Sequence, residues 1–158
     1  MLAPPVGTGV PTFRALAKGG TISDDMNADG STKTVSVLIV DDQHPFRDVA
    51  RTVIALTDGF VVAGEAESGE QAVEMADAQH PDLVLMDINL PGINGIEATR
   101  RIKAAHPETA VILLSTYSAG DLPADARECG AIEYVHKEDF GPSLVQEIWQ
   151  RARDGHRP

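Results

Sequence analysis

Five polar residues of this chain stand at or just past the ends of apolar runs. Asp41 and Asp42 follow Val35-Ser-Val-Leu-Ile-Val40, and Asp87 closes Leu83-Val-Leu-Met86. Ser115 closes Ala110-Val-Ile-Leu-Leu114, and Lys137 comes soon after Ile132 to Val135. A buried run has no packing use for a charge at its end. A bland role exists for Asp87, which could bond its own turn through Pro91-Gly92 and Asn94-Gly95. The set as a whole suggests more. Three carboxylates brought together cannot all stay ionised without a compensating cation. Oxygen ligands of this kind suit Mg²⁺, which takes one or two carboxylates together with water and phosphate oxygens. An ammonium and a hydroxyl opposite would hold the other oxygens of a phosphoryl group. One carboxylate would then be a nucleophile toward phosphorus.

That chemistry needs elements that bring the five residues to one place. Val35 to Val40 is rich in β-branched residues and predicts the first strand. Helix 1 follows, with Pro45 in its first turn, a buried stripe of Phe46, Val49, Ala50, Val53 and Ile54, and a stop at Asp58-Gly59. Val61 to Ala66 is a second strand, interrupted by Gly64. Ser68 caps helix 2 over Glu70 to Gln79, which turns Ala72, Val73 and Ala76 inward and stops at His80-Pro81. After the third strand, Leu83 to Met86, helix 3 spans about Ile96 to Ala105 with Arg100, Arg101 and Lys103 on a solvated face. Beyond the fourth strand, helix 4 starts near Asp121, carries Leu122, Ala126 and Cys129, and ends at Gly130. Ile132 to Val135 is the fifth strand, and helix 5 covers about Ser143 to Arg153 with a stripe of Leu144, Val145, Ile148 and Trp149.

Strand and helix alternate through the whole segment, which predicts an α/β domain with a parallel sheet and helices on both faces. Right-handed crossovers put the C-terminal ends of all its strands on one edge, where ligands of open α/β sheets bind. All five chemical residues belong to that edge.

Composition narrows the function. The 158 residues carry a net charge of -11, which argues against direct nucleic-acid contact. Cys129 is the single cysteine, so no intramolecular disulfide forms, and it reads as a small buried helix residue in a cytoplasmic protein. No apolar stretch approaches the length of a membrane span. Residues 1–33 mix Pro and Gly without either period and read as a weakly ordered tail; 34–154 form the domain, and 155–158 a short C-terminal tail. His44, His80 and His106 each precede a proline, and none of the histidines shares metal-ligand spacing with another, so no zinc is assigned.

Val37-Leu-Ile-Val-Asp-Asp42, Leu83-Val-Leu-Met-Asp87 with Leu90-Pro91-Gly92 and Gly95, Ser115, and Gly130-Ala131 followed by Tyr134 and Lys137 together resemble the receiver domain of two-component response regulators. The likeness runs from about Val35 to Arg153. It implies a flavodoxin-like, doubly wound five-stranded parallel sheet in the order 2-1-3-4-5. By position it implies Asp87 as phospho-acceptor, Asp42 as direct metal ligand, Asp41 as a ligand through water, and Asn89 as a backbone-carbonyl ligand to Mg²⁺. Ser115 and Lys137 would bind the phosphoryl oxygens, and Ser115 and Tyr134 would form the switch. A histidine kinase or phosphotransfer protein would donate the phosphoryl group. Output would be a protein contact or self-association through the face of helix 4, strand 5 and helix 5.

Two departures from the family pattern stand out. Glu138 replaces the proline often found after the lysine, as in many receivers attached to helix-turn-helix output domains, and a trans or rearranged Lys137–Glu138 bond follows. Tyr117 places a bulky ring where small or polar residues are common. The roughly twenty residues after Lys137 are too few for a DNA-binding domain, so direct operator binding is not expected. Two other readings compete. A phosphatase of the haloacid-dehalogenase type also uses a strand-end Asp with Mg²⁺, but needs a second Asp two residues on, where this chain has Gln43 and Asn89. A docking module that takes no phosphoryl group is the other.

Overall fold

The structure is a computed structural model that describes residues 34–116 and 122–155. Its parallel sheet has five strands in the order β2-β1-β3-β4-β5. These are β1 (Val35–Val40), β2 (Phe60–Ala66), β3 (Leu83–Asp87), β4 (Ala110–Ser115) and β5 (Glu133–His136). Four α-helices join them or follow them: α1 (His44–Ala55), α2 (Gly69–Gln79), α3 (Gly95–Ala105) and α4 (Pro142–Gly155). The expected sheet order is observed, and α4 reaches one residue into the segment read as a C-terminal tail. Residues 1–33, read as a tail, lie outside the described residues, as does Tyr117.

Alternation along each strand sends side chains to two cores. On one face Val37, Ile39, Leu83, Leu85, Ile112 and Leu114 meet Ala50, Val53 and Ile54 of α1 and Val145 and Ile148 of α4. On the other, Leu38, Val40, Val84, Met86, Val111 and Leu113 meet Ala72 and Ala76 of α2 and Ile96, Ala98 and Ile102 of α3. Because both faces are covered, the central strands are apolar at nearly every position before their C-terminal ends, Ser36 of β1 being the exception, and so they read as runs and not as alternations. Truncating a fully buried side chain such as Leu85 to Ala should cost about 2–5 kcal/mol.

Local chemistry sets where the helices begin and end. Pro45 opens α1 without a side-chain cap, Ser68 Oγ accepts the Gln71 N–H (3.1 Å), and Asn94 Oδ1 accepts the Glu97 N–H (2.9 Å). His80 closes α2 in the left-handed region at φ 50°. In β2 the register slips past Ala63, so that Val37 faces Val62 but Leu38 faces Gly64. A Cβ at Gly64 would meet Met75 Cε at 2.6 Å, the far end of a flexible side chain that would have to move aside.

Three expectations need correction. Val49 is half-exposed, and the charged Arg47 takes the buried place on α1 beside Ala50 and Ile54. Lys103 is half-buried rather than on the solvated face: its ammonium bonds the carbonyls of Pro107 (2.7 Å) and Thr109 (2.6 Å) past the end of α3. The expected start of helix 4 at Asp121 lies outside the described residues, and the rest of it, to Cys129, holds a short 3₁₀ helix, Ala124–Glu128. Pro123 before it and Gly130 after it, at φ 103°, leave too few residues for an α-helix.

Candidate functional site

The C-terminal ends of β1 and β3 carry the acids. Asp41 is almost wholly buried; its Oδ1 accepts the Gln43 N–H (2.8 Å), so the turn after β1 is wound around the carboxylate. Its backbone carbonyl accepts from Arg47 Nη1 (2.7 Å), and Arg47 Nε reaches Glu65 Oε1 on β2 (3.2 Å). The guanidinium therefore ties the end of β1 to its neighbour strand. Asp42, the next residue, is exposed.

Asp87 ends β3 and is 4 % exposed. Its Oδ1 accepts the Asn89 N–H (3.3 Å), while Ile88 N–H bonds the Leu114 carbonyl and Gly95 N–H bonds the Ile88 carbonyl. The start of α3 is thus folded back against the Asp87 backbone so closely that a Cβ at Gly95 would overlap the Asp87 carbonyl oxygen. The glycine is required by this approach.

Each of Asp41, Asp42 and Asp87 offers an oxygen within 4.8 Å of the others. Burial raises the Asp87 pKa from 3.8 to about 6, and Asp41 and then Asp42 push the same way against Lys137 and the Asn89 N–H. The cluster holds more negative charge than its surroundings neutralise, which is the donor set and charge balance a hard divalent cation fits.

Lys137 supplies one cation. It follows β5 at the start of a three-residue 3₁₀ helix, Lys137–Asp139, and its bond to Glu138 is trans, as expected. Lys137 Nζ lies 2.6 Å from Asp41 Oδ2 and 3.7 Å from Asp87 Oδ1. The same ammonium sits 4.4 Å from the centre of the Phe46 ring, a cation–π contact that steers it over the acids. Ser115 ends β4, fully buried, one residue past the Leu114 that pairs with Asp87, and level with His136 of β5. Tyr134 pairs with Leu113 and packs, half-buried, against the core shared with α2 and α3. Asn89 is exposed beside Asp87.

Asp41, Asp42, Asp87 and Lys137 therefore converge directly, with Asn89 in the loop two residues past Asp87 and Ser115 at the adjacent strand end. Sequence reasoning missed Arg47 and the second role of Phe46. The available signal for Arg47 was its spacing: 47, 50 and 54 form a tighter helical stripe than one through Val49. It also missed that His80 and His106 meet, at the opposite edge of the sheet, with ring centres 5.0 Å apart. Among the described residues no helix is long and apolar enough to cross a membrane.

Comparison with known proteins agrees with this geometry. The response regulator receiver domain family matches residues 37–148. The transcriptional regulatory protein DegU of Brevibacillus brevis is 32% identical over 130 residues, covering 82% of this chain and 55% of DegU. The response regulator GacA of Pseudomonas viridiflava is 36% identical over 114 residues, 72% of this chain and 53% of its own length. The chain spans about half the length of these curated relatives. The crystal structure of a two-component response regulator of the LuxR family from Aurantimonas sp. SI85-9A1 is 30% identical, with a TM-score of 0.70, covering 79% of this chain and 89% of that one.

Proposed function

Because the chain belongs to the response regulator receiver family, we propose that its acid pocket takes one phosphoryl group, on Asp87, from a histidine kinase or a phosphotransfer protein. The role is regulatory, and turnover is limited to the domain's own phosphorylation and dephosphorylation. The convergence of three carboxylates and Lys137 at the C-terminal edge of the sheet carries this reading. Residues 34–154 are taken as the receiver domain, working in the cytoplasm.

Asp87 has one oxygen free of the Asn89 N–H to add to phosphorus. As that O–P bond forms, the bond between phosphorus and the donor's histidine nitrogen breaks. The electron pair returns to the imidazole, which takes a proton from solvent. Asp87 must be ionised to attack, and a cation in the pocket would favour that form against the burial and the neighbouring carboxylates that raise its pKa. Asp42, Asp87 and the Asn89 carbonyl would hold Mg²⁺, with Asp41 assisting through water, and the ion would offset charge on carboxylates and phosphoryl oxygens alike. Lys137 would exchange its bond to Asp41 for a phosphoryl oxygen, and Ser115 would bind another.

The switch then involves Ser115 and Tyr134. Ser115 shifts toward the phosphoryl group, and the half-buried Tyr134 ring changes its packing behind it. The face made by Leu122 to Cys129, β5 and the outer side of α4 changes its affinity for a partner protein or for itself.

Incubation with acetyl phosphate and Mg²⁺, read by intact mass spectrometry, tests the proposal. One phosphoryl adduct per chain is expected in the wild type and none in Asp87→Asn, with both folded. Continuous release of inorganic phosphate without an adduct would favour the phosphatase reading. No adduct and no release would favour the docking module.

A further inference from the structure

The opposite edge of the sheet carries a second cluster, which the phosphoryl chemistry does not use. His80 closes α2 just before β3, and His106 closes α3 just before β4. Glu108 stands between His106 and β4. His80, His106 and Glu108 each offer a ligand atom within 4.8 Å of the others. We propose that these three side chains form a binding site for a divalent transition metal, with Zn²⁺ as the working probe, separate from the acid pocket.

Four observations carry this. The imidazole rings stand 5.0 Å apart between centres and 85° to each other. Two imidazoles on one tetrahedral ion, at a metal–nitrogen distance of about 2.0–2.1 Å, place their ring centres roughly 5 Å apart. The spacing found fits two ligands to a shared ion as well as it fits edge-to-face packing of the rings.

Secondly, Asp77 on α2 lies 2.7 Å from His106 Nε2. A carboxylate only accepts, so Nε2 donates to it, and in the neutral imidazole this leaves the Nδ1 lone pair for a metal. This is the carboxylate–histidine arrangement that orients metal-bound imidazoles and raises their basicity. Thirdly, both histidines sit at helix C-termini, where the carbonyl ends of α2 and α3 favour a cation. Lastly, Lys103, the cation facing Glu108, has its ammonium engaged by the carbonyls of Pro107 and Thr109. Two nitrogens and one oxygen select Zn²⁺, Ni²⁺ or Cu²⁺ over Mg²⁺. The fourth position is left for water. His80 holds a left-handed conformation at φ 50°, which sets the direction of its Cα–Cβ bond.

The test is Zn²⁺ titration of the full chain, by calorimetry, with the acid pocket saturated by excess Mg²⁺. One equivalent is expected to bind with micromolar affinity and to raise the melting temperature, since the ion binds only the folded chain. Asp87→Asn should bind Zn²⁺ as the wild type does. The double substitution His80→Asn, His106→Gln should weaken binding at least tenfold and abolish the thermal shift. Asn accepts the left-handed conformation, and Gln keeps a donor toward Asp77, so the fold should survive. Imidazole resonances of the unmodified chain give a check that needs no variant: those of His80 and His106 should move with the first equivalent, and His44 and His136 should not. Binding that disappears in Asp87→Asn, or persists in the double variant, or shifts other histidines first, overturns the site. So does the absence of micromolar binding.

Discussion

The strands that supply the acids and the strand that supplies the lysine are built differently. β1 is paired on both sides, to β2 and β3, and its side chains from Val37 to Val40 are fully buried. β3 is buried along its whole length, and helices α1 and α3 follow these two strands. β5 has one partner, spans four residues, and buries one of them, Val135. A 3₁₀ turn leads into it and another leads out. The anions therefore stand on the rigid side of the site, and the cation, with Tyr134, on the pliable side. A ligand that rearranges this pocket will move the side that yields at least cost, since elements with few buried contacts open first. Charge is held still in one half so that its change can be read out by the other.

The largest effect that would sharpen this contrast comes from removing the cation. In Lys137→Met the acids remain in place, and the rate of phosphoryl uptake should fall by roughly a hundredfold, as when a fixed donor to a developing charge is lost. Far-UV circular dichroism should not change. Uptake at the wild-type rate would show that Lys137 does not touch the phosphoryl group.

Two glycines compare the rigidity of the halves directly. Gly95→Ala drives a methyl into the Asp87 carbonyl and should cost about 3 kcal/mol in urea denaturation. Gly141, just before α4, has open space where a Cβ would stand, and Gly141→Ala should change stability by no more than about 0.5 kcal/mol. Equal losses would break the comparison.

The charge excess on the rigid side predicts a pH dependence without divalent cations. Below the ordinary value of 3.8, Asp87 is protonated whether the chain is folded or unfolded. As pH rises toward about 6, the unfolded chain gives up this proton first, so folding stability falls; above that value the penalty is constant. The difference in stability between Asp87→Asn and wild type should therefore grow in favour of the variant across this window and then level off. A difference that stays flat with pH would mean that the carboxylate is not strained by burial.

The smallest effect lies on the pliable side. Tyr134→Ala should leave uptake at Asp87 near wild type, while the phosphorylation-dependent change in self-association or partner affinity shrinks by about 1–3 kcal/mol. Analytical ultracentrifugation with and without acetyl phosphate measures it. Association that is the same in both states, in the wild type, would leave only the docking reading.

Legibility in the sequence followed the same divide. β1 was readable to the residue, and β3 and β4 nearly so, because strands buried on two faces are apolar along almost their whole length. Their terminal acids stood out for that reason. Ser68 was readable as a cap because its hydroxyl has one obvious use. The segment from Asp121 to Cys129 was misread as a helix because Leu122, Ala126 and Cys129 keep helical spacing; the bracketing Pro123 and Gly130 outweighed that pattern. Arg47 was passed over because a guanidinium on a buried stripe makes sense only with Glu65 and the Asp41 carbonyl beside it, and those partners come from the tertiary fold. The His80–His106 pair was hidden for the same reason. Spacing along the chain does not report that the ends of two helices meet.

The bond between Lys137 and Asp41 joins residues 96 positions apart. Such contacts are slow to form, since long loops must close before they are rewarded. During synthesis β1, β2 and β3 can pair while Lys137 is still unmade, leaving the acids together without their lysine. Completion of the pocket is thus a record that the chain has reached β5 and folded that far, and an unfinished chain carries the acids without the lysine that pairs with Asp41.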